Sequence, residues 1–227
     1  MSNQEKVSIR KIEPRKHMRL SEPRIPPLDE EEYAKSVENF LLNKSEWDKL
    51  VKTCIEDTKE LMEQFPYLHV FATNARYREL RMRLGLFSGH ILRHSLLPDR
   101  DKEILILRMA WLCYSEYVWG QHVLAGKMRV GLSNDEISRI MEGSDVEGWD
   151  PFDATLLRAV DELYTDTFIT NETWNALAER YDTKQLMDLV YTVGFYNMMA
   201  MVVNTFGVQL EGKIKELIKG LGIKMNF

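Results

Sequence analysis

Residues 101–130 decide how this chain folds, and they read DKEILILRMAWLCYSEYVWGQHVLAGKMRV. Apolar residues recur through the stretch at helical spacing, whereas nowhere in the chain do β-branched residues alternate between turns as in a strand. The stretch is longer than a typical globular helix. It therefore predicts two consecutive helices, with a break between Leu112 and Ser115.

Helical signals continue on both sides of this stretch. Apolar periodicity predicts earlier helices over residues 29–41, 46–65, 67–74 and 77–94. After it, Ser133-Asn-Asp-Glu136 and Asp182-Thr-Lys-Gln185 are capping boxes, and Asp150-Pro151 puts an N-cap acceptor before proline at the first helical position. Further helices are expected from Thr170 and over residues 213–219. The sequence thus predicts an all-α fold.

The N-terminal region differs from the rest in composition. Residues 1–28 contain Pro14, Pro23, Pro26 and Pro27, and proline favours extended or turn geometry. We expect an N-terminal extension over residues 1–28, either an arm packed through residues 24–28, on this chain or a neighbouring subunit, or a disordered tail. Residues 29–227 contain no long linker and no repeat, so they form a single predicted helical domain.

Composition excludes several classes of function. The net charge of −5 argues against nucleic acid as a main partner, because phosphate binding needs a concentrated basic surface. Only two cysteines occur, Cys54 and Cys113, which does not suit a disulfide framework. The charged N-terminus lacks the apolar core of a secretory signal, and no apolar run reaches the ~18 residues of a membrane span. We therefore expect a cytoplasmic protein.

The segment Cys113-Tyr-Ser-Glu-Tyr-Val-Trp-Gly-Gln-His122 carries the residues with the most chemical potential. In a helix each residue turns by about 100°, so Ser115, Trp119 and His122 share one face and could line a pocket. Histidine is the natural proton carrier near neutral pH. The alternatives are a structural histidine, aromatic side chains that only pack, and Cys113 as a small buried apolar residue.

A carboxylate beside His122 would fix its tautomer, and Glu103 and Glu116 are the candidates. Along one unbroken helix Glu103 would lie ~28 Å from His122 at 1.5 Å per residue. The two can therefore meet only if the chain folds back between them or if a neighbouring subunit supplies one. Glu103 could instead be a simple charge at a helix start.

His90 and His94 are a second pair with a chemically suggestive spacing. Their four-residue separation would place two metal ligands on one helix face, but the glutamate of the HExxH pattern and an obvious third ligand are absent. We predict no metal site.

The segment 113–122, together with other short pieces of the chain, resembles the carboxymuconolactone decarboxylase superfamily, which includes the alkylhydroperoxidase AhpD-like proteins. The resemblance extends from Arg24 to about Glu211 and rests on short pieces in a fixed order: residues 24–28, 97–108, 115–122, 131–133, Trp149 with 161–163, 193–196 and 204–207. It implies an AhpD-like helical domain and a homo-oligomer, such as a dimer, trimer or hexamer, with sites near subunit contacts.

The resemblance also shows what this chain lacks. The hydroperoxidase branch uses a CxxC pair, a histidine four residues after the second cysteine and an upstream glutamate. Those positions fall on Ser115, Val118, His122 and Glu103, so the histidine and glutamate are retained and both cysteines are absent. A dithiol cycle needs two thiols that can form a disulfide. Cys113 is two residues from the first position and has no partner nearby.

The resemblance therefore favours the decarboxylase branch, which works without the dithiol. It implies a cofactor-independent lyase acting on a small lactone or aromatic-derived carboxylic acid. His122 would be the proton donor and Glu103 would orient it. The substrate-binding residues would be Ser115, Glu116, Tyr117, Trp119, Tyr196 and Asn204. Two alternatives stay open: a thiol-dependent antioxidant enzyme using Cys113, and a non-catalytic protein that only binds a small molecule.

Overall fold

The described part of the protein is helical throughout. The structure is a computed structural model that describes residue 20 and residues 22–64 and 68–223. In this part of the chain the helices are α1 (Glu30–Leu42), α2 (Lys44–Gln64), α3 (His69–Asn74), α4 (Arg78–Gly89), α5 (Asp99–Leu112), α6 (Glu116–Arg129), α7 (Asn134–Glu142), α8 (Pro151–Asp166), α9 (Asn171–Ala178), α10 (Thr183–Phe206) and α11 (Gly212–Gly220). A π-helical turn, His90–His94, continues α4. The predicted all-α fold is confirmed.

Helix α5 is the centre of the fold. Ten of its 14 residues are buried, because α6, α7, α8 and α10 all pack against it. Its buried charges are paired: Arg108 donates to Asp161 at 2.7 Å, and the Tyr181 hydroxyl donates to Asp101 at 2.6 Å. A helix covered on all sides lacks a polar face, which accounts for the continuous apolar run in the sequence.

The chain breaks and reverses between α5 and α6, as predicted. Tyr114 adopts a left-handed conformation with φ of 51°. The Ser115 amide donates to the Ala110 carbonyl at 3.0 Å, and the Tyr114 amide donates to the Trp111 carbonyl at 2.9 Å. These two bonds form a Schellman motif. It ends α5 and sends α6 back along it, so that residues far apart in the sequence become neighbours.

Helix boundaries elsewhere follow local signals. Both capping boxes, at Ser133 and Asp182, are present, and the Asp150 and Thr170 side chains cap α8 and α9. The segment predicted as one helix over 77–94 instead changes from α-helix to a π-helical turn at His90. Phe65, Pro66 and Tyr67, at the expected junction of two helices, lie outside the described residues.

Residues 22–29 form no helix, as the prolines predict. Arg24 docks them on the same chain, donating to the Ile169 carbonyl at 2.7 Å and to the Asn171 side chain at 2.5 Å. Its guanidinium also lies over the rings of Phe168 and Trp174. The remaining residues of the expected extension, 1–19 and 21, lie outside the described residues.

Helix α10 is, among the described residues, the one helix long and apolar enough by composition to cross a membrane. Half of its apolar stretch is buried inside the protein, as in a core helix. Its inner face packs on α5 and α6 and brings aromatic side chains toward His122.

Candidate functional site

His122 and Glu103 meet within one chain. The reversal at Tyr114 places α6 against α5, and Nδ1 of His122 lies 2.8 Å from Oε2 of Glu103. Both side chains are largely buried, with 13% of His122 and 8% of Glu103 exposed. Because a carboxylate accepts hydrogen bonds, Nδ1–H donates to it, which leaves Nε2 as the nitrogen that can meet a ligand.

His122 lies in the wall of a cleft of about 900 Å³. The cleft is bounded by α2, α3, α4, α6, α10 and α11 and is lined mainly by aliphatic and aromatic side chains. Helix α6 contributes a broad face to it, formed by Tyr117, Val118, Gln121, His122, Leu124, Ala125, Met128 and Arg129. His122 therefore adjoins a largely apolar space large enough for a ligand.

Tyr196 of α10 stands against His122. The two rings meet edge to face, with centroids 4.8 Å apart, and Tyr196 lines the cleft although only 4% of it is exposed. Burial and then the nearby Glu103 carboxylate raise the pKa of Tyr196 well above its usual value. Its hydroxyl thus stays protonated near neutral pH and can donate a hydrogen bond. No hydrogen bond within the described residues uses it.

A polar network closes one part of the cleft. The Tyr117 hydroxyl donates to Glu211 at 3.1 Å, and Gln121 donates to the other Glu211 oxygen at 2.7 Å. The amides of His69 and Val70 donate to Glu211 and to the Tyr117 oxygen, respectively. Burial raises the pKa of Tyr117. Tyr117, predicted to bind substrate, therefore lines the cleft with its hydroxyl already held by protein groups.

Four other predicted substrate-binding residues do not come to this cleft. Ser115 is fully buried, and its hydroxyl oxygen has no hydrogen-bond partner among the described residues. Trp119 is fully buried against Trp111, with ring centroids 5.4 Å apart. Glu116 pairs with Lys215 at 2.9 Å. Asn204 donates to the Cys113 carbonyl at 3.0 Å, a bond that ties α10 to the α5–α6 turn.

The geometry of α6 explains why His122 lines the cleft whereas Trp119 does not. Trp119 precedes His122 by three residues, so it lies about 60° further round the helix, on the side that faces the core. The cleft side is the stripe that continues from His122 to Ala125 and Arg129. His122 thus stands at the boundary of the two faces, where Nδ1 meets the buried Glu103 while the ring lines the cleft.

Sequence reasoning missed most of the cleft lining, including the polar residues Gln121, Arg129 and Lys213. Arg129 could have been found from its position seven residues after His122, since residues seven apart share a helix face. Lys213 belongs to α11, and only the packing of α11 on α6 brings it to the cleft.

Cys113 lies in the turn, outside the cleft lining. It is half-buried, and its Sγ lies 3.4 Å from both the Asn197 side-chain oxygen and the Met109 sulfur. Burial raises the pKa of the Cys113 thiol to about 11. Since the thiolate is the reactive form, Cys113 is poorly suited to peroxide chemistry. Cys54 is also a free thiol, in α2.

His90 and His94 bind different carboxylates. His90 Nε2 lies 2.8 Å from Asp188, and His94 Nε2 lies 2.9 Å from Asp57. Each imidazole is thereby used in tying the π-helical turn to another helix. The described residues contain no group of three or more His, Cys, Asp or Glu side chains placed to hold a metal ion.

Comparison with known proteins relates the chain to others by structure only. No family model matches it, and no curated protein matches it. A solved structure from Agrobacterium tumefaciens, of unknown function and provisionally assigned as the antioxidant defence protein AhpD, superposes with a TM-score of 0.56 at 15% identity. It covers 61% of this chain and 95% of the other.

Two further solved structures are uncharacterised peroxidase-related proteins. The one from Ralstonia eutropha JMP134, described as an alkylhydroperoxidase AhpD core, has a TM-score of 0.62 at 11% identity and covers 72% of this chain and 87% of the other. The one from Silicibacter sp. TM1040 has a TM-score of 0.60 at 14% identity, with coverages of 70% and 87%. The chain therefore has an all-α fold similar to that of these AhpD-like and peroxidase-related proteins, the fold that its sequence motifs implied.

Proposed function

We propose that the protein is a cofactor-independent lyase that transfers a proton between His122 and a small lactone or conjugated carboxylic acid bound in the cleft. The observation that carries the proposal is the 2.8 Å contact between His122 Nδ1 and Glu103 at the wall of an apolar cleft. A carboxylate behind an imidazole fixes its orientation and tautomer and supports the imidazolium when it forms, the arrangement expected for a general acid or base.

In the proposed decarboxylation the bond between the substrate carbon and its carboxylate breaks, and CO₂ leaves. The electron pair enters the adjacent conjugated carbonyl and forms an enolate. His122, protonated on both nitrogens, donates its Nε2 proton to the carbon, and the resulting neutral imidazole takes a proton from solvent before the next turnover. Glu103 remains a carboxylate throughout and accepts the Nδ1–H bond.

Tyr196 is the residue best placed to stabilise the enolate. Its ring contacts His122, and its hydroxyl remains protonated because burial and Glu103 raise its pKa. A hydroxyl that donates to a developing oxyanion in a water-poor site lowers the barrier more than it stabilises the ground state. We therefore assign Tyr196 as the hydrogen-bond donor and His122 as the proton donor.

The experiment is a turnover assay on a panel of lactones and conjugated acids, following release of CO₂ and incorporation of solvent deuterium into the product. His122→Ala should lower the rate by about 10²–10⁴-fold, and Glu103→Gln should lower it less. His94→Ala, which changes a histidine bonded to Asp57 outside the cleft, is the matched control and should retain full rate. Full turnover by His122→Ala would refute the assignment.

Two alternatives make different predictions. A thiol-dependent antioxidant enzyme, in line with the names of the similar solved structures, requires a reactive cysteine, and the raised pKa of Cys113 argues against it. A non-catalytic protein would bind the same ligands without turnover. The assay separates the second alternative directly, since ligand binding without CO₂ release or deuterium incorporation across the panel would favour it.

We also propose that the protein is a cytoplasmic homo-oligomer whose partners are small molecules, not nucleic acid or membrane. Support for assembly comes from the outer face of α10, where exposed residues recur at alternating spacings of four and three: Met187, Tyr191, Gly194, Met198 and Met201. This spacing is that of a seam between packed helices. Residues 1–28 would be an extension to one helical domain, 29–227.

A further inference from the structure

The size of the cleft points to a larger substrate than a simple lactone. We propose that it binds an amphipathic carboxylic acid with a long aliphatic body, whose carboxylate is held by Arg129 and Lys213. This inference rests on the proposed function, because it takes the cleft as the substrate site of the lyase. It adds the chemical class of the substrate.

The cleft is large for a small lactone. At about 900 Å³, the cleft lies near the upper end of the range of roughly 300–1,000 Å³ for sites that enclose drug-sized ligands. A small lactone would fill only a fraction of it. The remaining apolar wall would then stay in contact with water, which is unfavourable in proportion to its area.

The wall of the cleft is mainly aliphatic. Flexible aliphatic side chains from separate helices face the cleft, among them Leu84, Leu124, Met199 and Leu217. Apart from the charged Arg129, Lys213 and Glu216, the polar side chains of the wall are few: Asn74, Ser88, Tyr117, Gln121, His122 and Tyr196. A wall of this kind matches an extended hydrocarbon chain, since such a chain gains affinity from burial alone and leaves no polar group unpaired.

Two basic side chains adjoin this apolar wall. Arg129 and Lys213 both line the cleft and are exposed, and neither forms an ion pair with any described residue. By contrast Arg100, Arg108 and Arg93 are each paired with carboxylates. Cations left without a counter-ion beside an apolar cavity favour an anionic head group.

The positive charge acts on the catalytic side of the cleft. Arg129 partly opposes the rise in the pKa of Tyr196 caused by burial and Glu103, so its field reaches the Tyr196 hydroxyl. Glu216 is the acidic residue of the lining, and against Arg129 and Lys213 it leaves one positive charge in excess. Arg129 follows His122 by seven residues, about 10 Å along the helix, so the carboxylate anchored by Arg129 and Lys213 is not the one that leaves as CO₂. The reacting carboxyl group lies several chain carbons away, beside Nε2, and the substrate therefore carries a second, anchoring carboxylate.

The test is calorimetric titration of the full-length protein with decanoate, dodecanoate, hexanoate and decanol. Decanoate should bind at least tenfold more tightly than decanol, because only the acid can pair with the cations. Dodecanoate should bind about tenfold more tightly than decanoate, since each methylene adds burial, and hexanoate should bind much more weakly. Equal affinity for the acid and the alcohol would overturn the inference, as would an absence of decanoate binding.

Variants locate the head group. Arg129→Gln should weaken decanoate binding about tenfold and leave decanol unchanged, and Lys213→Gln should act in the same direction. Lys127→Gln removes the same charge from the last turn of α6, outside the cleft, where Lys127 bonds Asn134. It should have no effect. If Lys127→Gln weakened binding as much as Arg129→Gln, general charge rather than this site would be responsible.

The same measurements separate this inference from the proposed lyase function. His122→Ala should keep its affinity for decanoate while losing turnover. Decanoate binding that depends on Arg129, with no turnover by the wild type on any acid, would refute only the lyase function. Turnover that depends on His122, with no preference for decanoate over decanol, would refute only the substrate class. The latter result would assign the apolar wall to another occupant, a second copy or a segment of this chain.

Discussion

His122 gains its proposed role from its position between two environments. Nδ1 is bonded to Glu103 on the core side, and the ring forms part of the cleft wall on the other. Replacing Glu103 would leave the nearly buried imidazole without its carboxylate, and a buried polar group that loses a partner costs about 1–3 kcal/mol. The pair therefore couples stability to function, so the stability of each variant needs to be measured beside its activity.

The reactivity of the Cys113 thiol gives a second prediction for a single residue. Because burial raises the pKa of its thiol to about 11, its reaction with a thiol reagent should stay slow at pH 7–9 and accelerate as the pH approaches 11. The measurement is the rate of modification against pH in Cys54→Ser, which leaves Cys113 as the only thiol. A rate that levels off near pH 7 would contradict the assignment and favour the thiol-dependent alternative.

At the scale of elements, the packing of the C-terminal segment on α6 depends on close approach at Gly120. A Cβ at this position would overlap the buried side chain of Leu210, which anchors the segment before α11. The absence of a side chain thus lets the C-terminal segment pack directly on α6. This contact helps to set the position of α11, and with it Lys213, beside the cleft.

Gly120→Ala should therefore destabilise the protein by about 1–3 kcal/mol, the usual cost of overpacking a core. Gly85→Ala is the matched control in α4, because its added Cβ would meet Cys54 Sγ at an ordinary 3.8 Å. It should stabilise by up to about 1 kcal/mol through helix propensity. Both free energies of unfolding come from urea titration, and equal effects of the two substitutions would contradict the close approach.

Glu136 links the start of α7 to α5 and α8. Although burial opposes the shift, hydrogen bonds from the Ser133 amide and from Arg100 lower the pKa of Glu136 to about 2. Arg100 in turn bonds both oxygens of Asp153 in α8 at 2.8 Å. A carboxyl whose pKa is lower in the folded state stabilises it above the unfolded pKa and loses that effect as the pH falls.

Glu136→Gln should therefore cost about 1–3 kcal/mol at pH 7. The deficit relative to wild type should shrink as the pH falls from about 4.5 toward 2, because the wild-type carboxyl then becomes protonated as well. Urea titrations of both proteins across this pH range measure the difference in their free energies of unfolding. Glu142→Gln, at the exposed end of α7, should show no deficit, and a deficit for Glu136→Gln that is independent of pH would contradict the electrostatic explanation.

At the scale of the whole molecule, α10 has two roles on opposite faces. Its inner face supplies Phe195, Tyr196, Met199 and Val203 to the cleft. Its outer face leaves Met198 40% and Met201 61% exposed. A long helix with one apolar face in the core and another in solvent is typical of a subunit contact.

Met198→Glu should shift the protein toward the monomer, because a charge in an apolar seam is costly to bury. Sedimentation velocity measures the assembly state against the 26.7 kDa chain. Met82→Glu, at a methionine that is 58% exposed on α4, is the control and should leave assembly unchanged. A wild-type protein that sediments as a monomer at all concentrations would refute the proposed homo-oligomer.

Local sequence determined the secondary structure of this protein to a large extent. Capping boxes at Ser133 and Asp182, the Asp150-Pro151 start and the break after Leu112 are all as predicted, because each depends on residues within a few positions of one another. The π-helical turn at His90 was not predictable in this way. Its histidines bond Asp188 and Asp57, which belong to distant helices.

The candidate site likewise has features that local sequence predicts and features that only long-range packing decides. Sequence spacing singled out His122 and Glu103, yet only the reversal at Tyr114 brings them to 2.8 Å. A helical wheel places Ser115, Trp119 and His122 on one face but cannot tell which side of that face meets the core. Packing of α5 buried Trp119, while packing of α10 and α11 formed the cleft and brought Tyr196 and Lys213 to it. Local sequence thus determined the elements and the candidate proton donor, whereas long-range packing decided which side chains surround it.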